Sequence, residues 1–83
     1  MKEDEEIKYN VSLLTKGKRP LFTIRLIKDN TDFSLYECKK IYDELYYTNE
    51  PITVSFRKDI NEANEIAKQF KEIGHIVELY EAY

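Results

Sequence analysis

The chain of 83 residues is 42% apolar and 35% charged, with a formal charge of −3, one cysteine, one histidine and two glycines. A chain this short buries only about 60–65% of the surface it exposes when unfolded, which leaves room for one thin core and one domain. No run of about eighteen apolar residues is present to span a membrane; one cysteine excludes an internal disulfide and a cysteine-based zinc site, and two glycines exclude a glycine-rich phosphate loop.

Residues 1–6 hold four acids and one lysine and so account for the whole net charge. With nothing apolar to bury before Ile7, they are expected to form a disordered acidic tail, and they lack the features of a signal sequence, so a cytoplasmic protein is expected. A single domain over 7–83 follows. Ile7, Tyr9, Val11 and Leu13 alternate with Lys8, Asn10 and Ser12, the period of a strand with one buried face. After the basic stretch around Gly17, Pro20 suits the first turn of a helix over 20–28. Asp29 to Asp32 break it, and Ser34 with Glu37 makes a capping box that opens a second helix, with Leu35, Cys38, Ile41, Tyr42 and Leu45 as its buried stripe. A second strand is predicted over 52–56. Asp59 and Glu62 then open a third helix that carries Ala63, Ile66, Ala67, Phe70 and Ile73 inward and ends at Gly74. Val77 and Leu79 share one face of a last strand over 75–80.

Three strands and three single-striped helices predict an α+β domain, a small sheet with helices packed on one face. Spacing alone leaves antiparallel pairing and a crossover both open.

The first helix departs from the single-stripe rule. Phe22, Leu26 and Ile27, with Thr23, make one face, and Leu21, Ile24, Arg25 and Lys28 make another. So short a helix cannot bury its whole circumference, and unpaired buried cations are costly, so the face with Arg25 and Lys28 is expected to meet water. Lys16, Lys18, Arg19, Arg25 and Lys28 are five bases in thirteen residues without an intervening acid, and Lys39 and Lys40 follow. Exposed aliphatics bordered by bases, with Lys18, Arg19 and Lys39 alongside, predict a docking surface for a protein partner with an acidic surface. Cover by the 16–19 loop or by a second copy of the chain is the competing expectation.

The run Ile24, Arg25, Ile27, Lys28, Thr31, Leu35, Glu37, Cys38, Lys39 resembles, without a gap, the pattern I-K-x-V-R-x-x-T-x-L-x-L-x-E-A-K of the C-terminal, factor-binding domain of the bacterial ribosomal stalk protein. Lys58, Asp59, Ala63 and the ending from Gly74 to Glu78 resemble its third helix and last strand, so the likeness runs from about Tyr9 to Leu79. The resemblance implies three antiparallel strands covered by three helices, and a partner site at Leu21, Ile24, Arg25, Lys28 and Lys39 for a translational GTPase. Asp29, Asp32 and Ser34 stand where the family has loop glycines, and Pro20 where it often has lysine. The family's dimerisation segment and hinge have no counterpart, so a stand-alone domain, monomeric or weakly homodimeric, is expected. A weaker similarity is to the Clp protease adaptor fold, without its degron-pocket motifs.

His75, with no acid or cysteine near it in sequence, reads as structural or solvent-exposed, and Cys38 as a small buried apolar residue. Neither supplies a catalytic group, so no enzyme, cofactor or metal site is expected. Tyr36, Tyr46 and Tyr47 are candidates for an aromatic rim on a binding face. Two other readings share these features. One is a nucleic-acid-binding domain that uses the basic 16–28 segment and stacks bases on tyrosines. The other is a small phage or mobile-element protein that binds and inhibits a host protein.

Overall fold

The computed structural model describes residues 7–82. The predicted acidic tail lies outside them. In chain order the elements are β1 (Lys8–Leu13), α1 (Pro20–Asp29), α2 (Leu35–Thr48), β2 (Ile52–Lys58), α3 (Ile60–Glu72) and β3 (Val77–Ala82). This is the predicted β-α-α-β-α-β order. The strands form one sheet in the order β2-β1-β3, with both flanking strands antiparallel to β1.

Alternation in β1 sends Val11 and Leu13 into the core. On β3, Leu79 pairs with Val11 and Val77 with Leu13, which fixes the register on the buried face. Toward β2 the register slips near Val11, Asn10 Oδ1 accepts a hydrogen bond from Arg57 N at 2.9 Å, and Arg57 adopts φ 55°. That bulge places Ser55 inside beside Val54 and turns Phe56 outward, where strict alternation predicts the reverse. Phe56 then meets Phe33 edge-on, with ring centroids 6.0 Å apart.

The helix ends follow their sequence signals. Ser34 Oγ accepts from Glu37 N at 3.1 Å while Glu37 Oε1 accepts from Ser34 N at 2.9 Å, a complete capping box. Asp59 Oδ1 accepts from Glu62 N at 2.8 Å. At the end of α3, Gly74 takes φ 99°, its N–H meets Lys71 O and that of His75 meets Phe70 O, which is a Schellman closure. That closure holds His75 out of the sheet, so β3 begins two residues later than predicted.

α3 lies across all three strands through Ala63, Ile66, Ala67 and Phe70, and α2 covers β2 through Cys38, Tyr42 and Leu45. α1 packs chiefly on α2 and more lightly on α3. It is an outer layer with one side toward the core, and this leaves its other side free.

Candidate functional site

The orientation of α1 is set by the buried His75 ring. Nδ1 donates to Thr15 O at 2.7 Å, and Nε2 lies 2.7 Å from the Thr23 hydroxyl, whose oxygen is also 2.8 Å from Arg19 O, so both ring nitrogens have a partner. Burial holds its pKa below the usual 6.5, against the smaller opposing effect of the Thr15 carbonyl. Gly17, at φ 66°, lies so close over the ring that a Cβ there would sit 2.7 Å from His75 Cε1. The Tyr42 hydroxyl, its pKa raised by burial and then by Tyr46 and Asp43, donates to Lys16 O at 2.9 Å. The loop before α1 is therefore pinned to both α3's end and α2, and Thr23 is drawn to the middle of the inward face.

With Thr23 inward, Ile27 and Ile24 follow it, and Ile24 is only 8% exposed. Phe22, one residue before Thr23, is turned out and 60% exposed. Both outcomes correct the expected division of the helix, which placed Phe22 inside and Ile24 in water. Leu21 is exposed as expected, at 77%. On α2 the correction is Leu35, predicted inside but 56% exposed in the first turn, next to Tyr36 at 71%.

These changes convert the expected face of α1 into a groove of about 700 Å³ between the first turns of α1 and α2. Leu21 and Phe22 line one side, Leu35 and Tyr36 the other, and Ile24 the base; among the described residues, Arg25 and Lys39 are the only charged ones in the lining. Lys39 Nζ holds Asp43 Oδ2 at 3.0 Å in an exposed pair one turn along α2, an interaction of a few tenths of a kcal/mol. The lining is mainly apolar, with cations at the rim.

Of the site residues expected from sequence, the structure brings Leu21, Ile24, Arg25 and Lys39 together. Lys28 is exposed one turn beyond Ile24 but does not line the groove. Lys18 and Arg19 border a separate depression with Glu72 and Gly74, and Arg19 stacks over the Phe22 ring at 5.6 Å. Phe22 and Leu35 are the wall residues that periodicity assigned to the core. Of the three tyrosines, Tyr36 lines the groove, while Tyr46 and Tyr47 lie at the far end of α2, edge-on to each other at 5.2 Å, with Lys16 Nζ 4.5 Å from the Tyr46 ring centroid. Among the described residues, His, Cys, Asp and Glu form no group of three suited to a metal ion, and no helix is long and apolar enough to cross a membrane.

No family model matches the chain. Among curated proteins, the large ribosomal subunit protein bL12 of Endomicrobium trichonymphae is 33% identical over 76 residues, which cover 92% of this chain and 57% of that protein. The match falls on its C-terminal part. The chain thus spans little more than half the length of the relative, and it resembles the C-terminal domain of the ribosomal stalk protein in sequence.

Proposed function

We propose that this domain is a non-catalytic docking module of the translation machinery, whose α1–α2 face binds a protein with an acidic surface, a translational GTPase by analogy with the stalk protein. The similarity to bL12 supports a protein-interaction role of the stalk type. The observation that carries the finer reading is the groove itself, in which exposed Leu21, Phe22, Leu35 and Tyr36 are bordered by Arg25 and Lys39, with no acid in the lining among the described residues. Contiguous apolar side chains in water cost free energy that a partner recovers on binding, and like-signed charges at the border choose the partner's sign and speed encounter.

Nucleic acid is the poorer occupant. Lys16 is held over Tyr46 and Arg19 over Phe22, and Lys18 and Arg19 stand by Glu72, so the bases of 16–28 do not form one stripe along which a phosphate backbone could run.

The test is calorimetric titration of the purified domain with a bacterial elongation-factor GTPase, for wild type and for the double variant Arg25→Glu/Lys28→Glu. Binding is expected for the wild type and lost in the variant, with stability changed by less than about 0.5 kcal/mol because both side chains are exposed. Equal affinity of the two proteins for the GTPase contradicts the proposal.

A further inference from the structure

We infer that the outer edge of β3 is an interface at which a second copy of this chain adds its own β3, antiparallel about a two-fold axis at Leu79, so that two three-stranded sheets become one. In the order β2-β1-β3 both β2 and β3 are edges, and only β2 is guarded. Pro51 precedes it, its register slips against β1, Arg57 takes φ 55° and Lys58 ends it, all devices that blunt a strand edge. β3 instead pairs with β1 through every residue from Val77 to Ala82 without a slip, and that run holds no proline, glycine or lysine. Such an edge is a template for another strand.

The phase of its hydrogen bonds follows from Leu14 N, which donates to Ile76 O at 2.9 Å. Bonded pairs alternate from there, so Glu78 and Tyr80 bond to β1 while the N–H and C=O groups of Val77 and Leu79 point away from it. An added β3 must meet these groups with its own outward ones, which leaves few two-fold registers. Placing Glu78 opposite its own copy sets carboxylate against carboxylate, and placing Tyr80 opposite its own copy shortens the overlap. Placing Leu79 opposite Leu79 of the second copy engages the chain from Ile76 to Ala82. On the open face of the sheet, Ile76 then meets Ala82 of the second copy and Glu78 meets Tyr80, twice over by symmetry. The Tyr80 hydroxyl already donates to Glu78 within one chain, so donor faces acceptor across the axis as well. On the helix face Val77 and Leu79, half-buried in the single domain, gain apolar cover. The guarded β2 strands remain outermost, so the assembly closes at two copies.

The experiment is sedimentation equilibrium of the full 83-residue chain, with residue-resolved amide hydrogen exchange at low and high concentration. The mass should rise from one chain toward two between about 10 µM and about 1 mM, the range of small interfaces. Over the same range the amides of Val77 and Leu79 should become protected, while those of Glu78 and Tyr80, bonded to β1, stay unchanged. Tyr80→Glu, at an exposed position, sets like charges face to face twice and should weaken association about tenfold; adding Glu78→Lys to it restores opposite charges and should recover the pairing. A chain that stays monomeric to about 1 mM overturns the interface, as does association that Tyr80→Glu changes by twofold or less, that the double variant fails to recover, or that leaves the Val77 and Leu79 amides unprotected.

Discussion

His75 links three segments with one ring. Its Nδ1 holds the carbonyl of Thr15, its Nε2 takes the hydroxyl of Thr23, and Gly17 closes over its face. The Thr23 hydroxyl lies between Nε2 at 2.7 Å and the Arg19 carbonyl at 2.8 Å, so with the ring neutral its one proton has two acceptors in reach. A second proton on the ring would bring charge into a desolvated site. The folded-state pKa is therefore depressed below 6.5, and the unfolded chain binds the proton first as pH falls. Stability from this group is fully present above the unfolded value and is lost as pH drops through it toward the folded value. Urea midpoints measured between about pH 7.5 and 5.5 should fall toward acid in the wild type and fall less in His75→Asn. Parallel profiles for the two proteins would show that the ring carries no such linkage.

At the scale of elements, the α1–α2 groove depends on the first turn of α2 being formed, because Leu35 and Tyr36 immediately follow the Ser34 cap. Removing the cap hydroxyl leaves an unpaired N–H at Glu37 and frees the turn. Ser34→Ala should cost about 1 kcal/mol in stability and weaken partner binding without deleting any groove side chain, while Ser34→Thr should preserve both. Thermal melts and the same titrations check this; an unchanged affinity in Ser34→Ala means that the partner does not need the turn. Caps, stripes and the order of elements were legible in the sequence because each rests on neighbours within a turn or two: Ser34 with Glu37, Asp59 with Glu62, Gly74 after Ile73. The division of α1 was not. Periodicity sees Phe22 and Ile24 as equally apolar, and what decides between them is the hydrogen bond from Thr23 to a histidine fifty-two positions away. Leu35 belongs to the stripe of α2 by spacing, yet the body of the domain does not reach the helix's first turn. The inward Ser55 and outward Phe56 likewise follow from a register slip between strands that no local pattern records.

Across the whole molecule, the large apolar side chains divide into two populations with different thermodynamic duties. Phe70, Leu13, Ile27 and Val11 are fully enclosed and hold sheet and helices together, while Leu21, Phe22, Leu35 and Tyr36 remain mostly in water. A domain of this length has about 4–12 kcal/mol of total stability, so enclosed residues are few and each is a large share of it. Phe70→Ala should remove about 3–5 kcal/mol, because it opens a cavity beneath α3 and strips the edge-on contact with His75 at 6.0 Å. Leu21→Ala should change stability by less than about 0.5 kcal/mol, since the side chain is exposed in the folded state and alanine is at least as good a helix former. Urea denaturation of the two variants beside the wild type measures the contrast. If Leu21→Ala proves as costly as a core truncation, α1's outer face belongs to the fold rather than to a partner. If it is silent in stability while it weakens binding, the surface apolar residues are retained for recognition alone.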